Sequence, residues 1–383
     1  MDWQIPLSDI DLGEEEQAAV MKVLKSKWLT MGAGTQNFEQ EFAGHHNTGN
    51  AIAVGNCTQA LHMAVIALGI SAGDEVIVPS LSFVATANAV LYTGAAVRFA
   101  EINSLTNPTI SPASIQANIT EKTRAIIVMH YAGFPCDMPA IMAIANKHNI
   151  PVIEDVAHAP GAWLNGKALG TFGLMGCFSF FSNKNLSTGE GGMVITDHPE
   201  LAAQLRLLRS HGMTTLTWDR HKGHAASYDV VSLGYNNRID EIRSAIGSVQ
   251  LRKLAANNHK RLDLIEEYWT QLSTSLVDLP FKQNSPRPLW GNTTHQAAGH
   301  IFPILLPAGT DRAAFMEALK YVGIQTSIHY PPIHTFSAFR AKMGIQHLPL
   351  TETYAEREIT LPLYPGMTST MVKIVSDAVK ANL

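Results

Sequence analysis

The sequence predicts an α/β protein of two units, a large one on a mostly parallel sheet and a smaller α/β unit behind it. Two observations carry this. From Asn50 to Thr196, short apolar runs of strand length alternate with helical stretches, the order that covers both faces of a parallel sheet with helices. Beyond a connection rich in Pro, Asn and Gly at Asn284–Gly299, a shorter strand and helix alternation begins again. At 383 residues the chain also exceeds the usual size of one core.

In chain order, Leu12–Lys25 reads as an amphipathic helix. Glu14, Glu15 and Glu16 suit its positive start, and Lys22 and Lys25 its end. The loop WLTMGAGTQ leads into a short helix with Phe38 and Phe42 on one face. Strands are expected at Ala51–Val54, Glu75–Val78, Ala96–Phe99, Ala125–His130 and Val152–Asp155. Arg238–Ser275 is a long helical region: Ile239, Ile242, Ile246 and Val249 recur at three and four residues, as do Leu262, Ile265, Trp269 and Leu272. After the connection come a strand at His300–Leu306, a helix from Asp311, a strand at Gln325–Tyr330, a helix near Thr353 and a last helix from Thr370. The expected division is residues 1–250, N-terminal segment included, and residues 251–383, joined by the long helix.

Bulk properties exclude several classes. Apolar residues make up 46% and charged residues 16%, which supports a sizeable core and argues against disorder. A net charge of −4 without a basic run gives no nucleic-acid footprint. The cluster Arg252, Lys253, Lys260 and Arg261 reads as a solvated helix face. Cys57, Cys136 and Cys177 lie beside apolar residues without CxxC spacing, as buried thiols of a reducing compartment do. No run is apolar for long enough to span a bilayer, and MDWQIPLSDIDLGEEEQ lacks the regions of a signal peptide. A cytoplasmic protein acting on small molecules, with no nucleic-acid or membrane partner, is expected.

The stretch that carries chemistry is Gly176–Thr196, GCFSFFSNKNLSTGEGGMVIT. The apolar run Cys177–Phe181 stops at a polar segment with one lysine, Lys184, and a glycine-rich bend precedes a second apolar run, Met193–Thr196. Glycines let a backbone approach a flat ligand closely. A lysine amine of lowered pKa can condense with an aldehyde cofactor, here pyridoxal phosphate.

Three other places suit that cofactor. In VGNCTQALHMAVIALG a strand end meets a helix start, where backbone N–H groups and the Thr58 hydroxyl can hold a phosphate. In PVIEDVAHAPGA, Asp155 ends a strand and can keep the cofactor ring nitrogen protonated, with His158 three residues on. Phe83, in VPSLSFVATAN, offers a flat face to the ring. Each residue alone has a plainer reading. Asn56 or Thr58 can cap a helix, and Asp155 can ligate a metal or cap. His158 and Phe83 can be core, and a lone lysine usually faces solvent.

Together these motifs resemble the sugar aminotransferases of the DegT/DnrJ/EryC1/StrS group, pyridoxal phosphate enzymes of the aspartate-aminotransferase (type I) fold. The resemblance runs through WLTMGAGTQNFEQEFA, GNCTQALHMAV, GDEVIVPSLSFVATANAVL, VIEDVAHAPGA, FSFFSNKNLSTGEGGMV, LGYNNRIDEIRSAIGSVQL, SIHYPPIH and LPLYPGMT. It implies a three-layer large domain with a smaller C-terminal domain. Carried over by position, it makes Lys184 the cofactor-bearing lysine and Asp155 the ring-nitrogen partner. His158 falls near the ring oxygen, Cys57, Thr58 and Ser179 at the phosphate, and Phe83 against the ring. Asn236 matches a residue that reaches the phosphate from a neighbouring subunit, which implies a homodimer with shared sites. Tyr330 and the His329–His334 loop match the substrate-facing wall. His329 and His334 have a spacing compatible with zinc but no third ligand nearby, so no metal is expected.

Two positions depart from the pattern. Cys57 stands where many relatives have Gly, and Asn237 where an aromatic often follows the matched asparagine. The resemblance implies transfer of an amino group, from glutamate, to a keto-sugar, of nucleotide-linked 4-keto-6-deoxy or 3-keto type. Rival readings are amination of a keto-cyclitol, dehydration of a sugar, and a non-catalytic regulator that binds the cofactor. Lysine rather than histidine at 184 argues against the dehydrating branch.

Overall fold

A computed structural model describes residues 3–215, 227–282 and 295–383. Residues 284–294 of the expected connection lie outside the described residues.

Seven strands form the main sheet: β1 (Asn50–Val54), β2 (Glu75–Pro79), β3 (Ala96–Ala100), β4 (Thr123–Met129), β5 (Val152–Asp155), β8 (Met175–Ser179) and β9 (Gly192–Thr196). Their order is β1-β9-β8-β5-β4-β2-β3. Every neighbour from β8 to β3 is parallel, whereas β9 runs antiparallel to both β8 and β1. The expected mostly parallel sheet is present. A two-strand ribbon, β6 (Trp163–Leu164) and β7 (Lys167–Ala168), lies apart from it.

The strands are apolar on both faces because helices cover both. On one face Val76, Val78, Ile127, Ile153 and Val194 pack with α3 (Cys57–Ala67), α4 (Ala85–Leu91) and α7 (Pro199–Arg209). On the other, Ile77, Ile126 and Val128 meet α5 (Pro112–Asn118) and α6 (Met138–His148), and Phe178 and Ile195 meet α2 (Ala33–His46). Period-two alternation thus persists inside runs that read as uniformly apolar.

The helix α1 (Glu14–Ser26) precedes α2, and both lie along α8 (Glu241–Gln271), a single helix of 31 residues. The Asp240 carboxylate caps α8 by accepting from the Arg243 N–H at 2.9 Å. Glu241 then accepts from the N–H groups of Gly32, Gly34 and Thr35 at 2.8, 2.7 and 2.8 Å. One carboxylate therefore satisfies the free start of α2. A Cβ on Gly34 would lie 2.6 Å from Glu241 Oε2, so this approach needs glycine.

The second unit pairs β10 (Phe302–Leu305) antiparallel with β11 (Glu358–Leu361). Around them lie α9 (Arg312–Tyr321), α10 (Ser337–Met343), α11 (Pro349–Arg357) and α12 (Ser369–Ala381). The strand expected at Gln325–Tyr330 does not form. Its main-chain bonds are split between two partners, Gln325 N–H to Ile5 O and an isolated antiparallel bridge from Ser327 to Thr360 of β11, so no continuous ladder builds. The first residues also join this unit: Gln4 and Ile5 donate to Gly323 O, and Ile5 packs in its core. The 250/251 division falls within α8.

Packing of α2 on α8 generates a paired test. A Cβ on Gly247 would lie 2.5 Å from Phe38 Cζ, whereas one on Gly44 meets nothing within 4 Å. Gly247→Ala should lower the urea midpoint, as about 1–3 kcal/mol of overpacking outweighs up to about 1 kcal/mol of helix propensity. Gly44→Ala, in the same measurement, should raise it.

Candidate active site

The carboxyl ends of β4, β5 and β8 open into a cavity of about 450 Å³, a size ordinary for a small-molecule site. Asn56, Cys57, Thr58, Phe83, Asp155, His158, Ser179, Lys184, His329 and Tyr330 all line it. Two residues singled out in the sequence are not in that lining: His334, expected in the substrate-facing wall but bonded away from it to Ser80 and Glu352, and Asn236. Asn236 is exposed and bridged to Ser210.

Asp155 ends β5 and is 4% exposed. Its Oδ2 accepts from the Thr86 hydroxyl at 2.8 Å and its Oδ1 from the Ala157 N–H at 3.1 Å. Burial pushes its pKa up; Thr86, Ala157, Lys184 and His130 pull the other way. The preceding residue, Glu154, points to the other face of the sheet. It accepts from His130 Nε2 and from the N–H groups of Gly170 and Gly173 at 3.0, 2.8 and 2.7 Å, and so is structural.

Lys184 sits in the bend between β8 and β9. Loss of water around its amine lowers its pKa to about 8, while Asp155 and Cys57 pull upward. Its Nζ lies 3.3 Å from Nε2 of His300, a residue the sequence reading did not single out.

The start of α3 borders the cavity. Asn56 caps it, accepting from the Gln59 N–H at 2.9 Å, so the plainer reading of that motif also holds. A Cβ on Gly192 would lie 2.8 Å from the Cys57 nitrogen, and glycine there lets β9 approach the helix start. Burial holds the Cys57 thiol well above its usual pKa, leaving it neutral. Ser179, the last residue of β8, adds a hydroxyl on the same side.

On the facing wall, the ring of Phe83 is 56% exposed and its centroid is 6.0 Å from that of Tyr330. The Ala132 N–H donates to His158 Nδ1 at 3.3 Å, which leaves the proton on Nε2. His158 Nε2–H then donates to the Tyr330 hydroxyl oxygen at 2.8 Å, so the Tyr330 proton is free for another acceptor. His329 is held by Thr360 Oγ1 at 2.8 Å through Nδ1, and its main-chain carbonyl accepts from the Tyr131 hydroxyl. His334 is engaged on both ring nitrogens, by Ser80 Oγ at 2.7 Å and Glu352 Oε1 at 3.0 Å. Among the described residues no group of three His, Cys, Asp or Glu is placed to hold a metal.

The donor set fits pyridoxal phosphate. A buried carboxylate with one neutral donor on each oxygen suits a cationic ring N–H, and the α3 start suits a phosphate. A larger cleft of about 620 Å³ lies over α2 and α7, but its Glu39 and Arg209 pair with each other.

The model of the DegT/DnrJ/EryC1/StrS aminotransferase family matches residues 10–380. Helicobacter pylori PseC, an aminotransferase involved in the biosynthesis of pseudoaminic acid, is 29% identical, with 99% of this chain and 98% of that chain covered and a TM-score of 0.89. The aminotransferase TlmJ from Streptoalloteichus hindustanus is 33% identical, with 99% and 98% covered and a TM-score of 0.89. DesV of S. venezuelae is 32% identical, with 98% of each chain covered and a TM-score of 0.87. Members of this family use pyridoxal phosphate and share the type I fold. Among the described residues no helix is long and apolar enough to cross a membrane. The chain belongs to the DegT/DnrJ/EryC1/StrS family and is a pyridoxal-phosphate-dependent sugar aminotransferase.

Proposed function

We propose that this enzyme moves an amino group from glutamate to a nucleotide-linked keto-sugar, of 4-keto-6-deoxy or 3-keto type, in amino-sugar biosynthesis in the cytoplasm. The observation that carries the reading is the convergence of Lys184 and Asp155 on one cavity bordered by the start of α3. Pyridoxal phosphate, when bound, supplies an aldehyde that takes up the amine and a protonated ring that draws electrons from the bond to be broken.

The protein's own groups do the rest. The carboxylate of Asp155, held by Thr86 and Ala157, keeps the ring nitrogen protonated. The N–H groups at Cys57 and Thr58 and the Ser179 hydroxyl bind the phosphate. Phe83 would offer its face to the cofactor ring, and His158, which holds Tyr330, would lie near the ring oxygen. Lys184 Nζ, once free, takes the proton from the α-carbon of the amino donor; a pKa near 8 leaves enough neutral amine to do so. Tyr330 and His329 face the sugar.

The same proposal includes a homodimer in which Asn236 serves the neighbour's phosphate site. Its support is that Asn236 is exposed and is not among the residues lining its own chain's cavity. Residues 1–250 and 251–383 are taken as the large and small domains, sharing α8.

Three measurements check this. With glutamate and a panel of nucleotide-linked keto-sugars and keto-cyclitols, 2-oxoglutarate should appear with the sugars, in ping-pong kinetics, and Lys184→Ala should lose at least about 10²-fold in kcat. Turnover on cyclitols alone, or obligatory ternary-complex kinetics, would sink the assignment. In cofactor-free protein, trinitrobenzenesulfonate should label Lys184 with a midpoint near pH 8: the amine is protonated and inert below it, free above it. Exposed lysines should follow about pH 10.4. Finally, hybrid dimers of Lys184→Ala and Asn236→Ala subunits should recover roughly half the wild-type rate, since one of two sites is intact. No recovery would place Asn236 in its own chain's site.

A further inference from the structure

One buried histidine beside Lys184, His300, has no role among the residues assigned above. It lies just before β10 at 3% exposure and comes within reach of Lys184 because residues 298–300 are stitched to the turn at Tyr131–Gly133. Ala298 N–H donates to Gly133 O at 2.9 Å and His300 N–H to Ala132 O at 2.8 Å. Gly133 permits this contact, since a Cβ there would lie 2.7 Å from the Gly299 nitrogen.

The hydrogen bonds around His300 fix its protonation pattern. Asn185 Nδ2 donates to Ala298 O at 2.8 Å, and a main-chain carbonyl can only accept. The same nitrogen donates to Asn258 Oδ1 at 2.8 Å, and Asn258 Nδ2 in turn donates to Pro160 O at 2.9 Å. With the amide nitrogen so placed, Asn185 Oδ1 is what faces His300 Nδ1, at 2.9 Å. Nδ1 must therefore carry the proton, and Nε2 presents a bare lone pair. That lone pair faces Lys184 Nζ at 3.3 Å. Burial, and then the Lys184 charge, hold His300 well below its ordinary pKa, so the ring stays neutral. Its neighbour His158, with ring centroids 4.3 Å apart, carries its proton on the opposite nitrogen.

We propose that His300 is a positioning residue for Lys184: its Nε2 accepts one N–H of the free ε-amine and thereby aims the amine's lone pair into the cavity. Asn185 and Asn258 act one step further out, by locking the histidine tautomer through two main-chain carbonyls. This rests on the reading of Lys184 as the proton-moving lysine. An acceptor also stabilises the ammonium form, so loss of His300 should make the amine more acidic.

The test begins with the wild-type protein free of cofactor. Nitrogen chemical shifts of the His300 ring should show Nδ1–H with Nε2 bare near neutral pH; a proton on Nε2 would overturn the proposal. In His300→Leu, the labelling midpoint of Lys184 should fall by about one pH unit, as expected for losing a hydrogen bond to a charged group. His300→Gln, which keeps an acceptor near the Nε2 position, should restore it. With cofactor, His300→Leu should lose about tenfold or more in kcat with little change in the KM for the amino donor, and His300→Gln should regain part of it. A folded His300→Leu with unchanged midpoint and kcat would overturn the proposal. Failure of the Lys184 reading would show separately, as activity retained in Lys184→Ala.

Discussion

A carboxylate and an amine have to be kept mostly out of water at the end of the same sheet, and the surrounding structure is arranged to make that tolerable. Burial works against the charged form of both, raising the pKa of Asp155 and lowering that of Lys184 to about 8. Each is met by neutral groups with fixed directions: a hydroxyl and an N–H for Asp155, an imidazole lone pair for Lys184. Those partners are themselves tied down. Thr86 is bonded to Ser82 at 2.7 Å, and the His300 ring to Asn185. The result is a site in which fixed neutral dipoles add to the attraction between the Asp155 and Lys184 charges and hold both groups in place.

The sheet supplies the relative placement. Strands β5 and β8 are parallel neighbours, with Asp155 paired to Cys177, so the end of one strand and the bend after the other fall on one side. The reversal at β9 then returns the chain past the start of α3, close enough that position 192 has no room for a side chain. Much of this was legible in sequence. Uninterrupted apolar runs mark strands that are covered on both faces, and strand ends in such a sheet mark where to look for chemistry. The pair Glu154–Asp155 shows the method at its finest grain: period two sends adjacent carboxylates to opposite faces, one to His130 and the other to the cavity.

What was not legible depends on contacts that no local pattern encodes. Strand β11 carries Glu358 and Thr360, polar residues that become buried only because they serve His329, so it does not read as a strand. Conversely, Gln325–Tyr330 has strand-like residues but divides its main-chain bonds between Ile5 and Thr360 and builds no ladder. His300 begins an apolar run and looks like any residue before a strand. Its role appears only when Gly133, more than a hundred residues earlier, brings that segment against the cavity. Asn185, next to the one lysine that mattered, gave no signal either, because its work is done on Ala298 and Asn258.

The protonation pattern bears on how a phosphate can be held. Burial keeps His158 well below its ordinary pKa and lowers His329 to about 3, so both rings are neutral. The side chains lining the cavity then carry Lys184 as a cation against the carboxylates Asp155 and Glu190. Such a lining does not attract a dianion by net charge. A phosphate bound there would have to be recognised by directed donors, for which the start of α3 and the hydroxyls of Thr58 and Ser179 are placed. A site that recognises phosphate by geometry, with its one mobile cation kept for proton transfer, leaves Lys184 free of any electrostatic duty toward the phosphate. The amine could then move its proton without loosening a phosphate anchor, guided by a local partner such as His300.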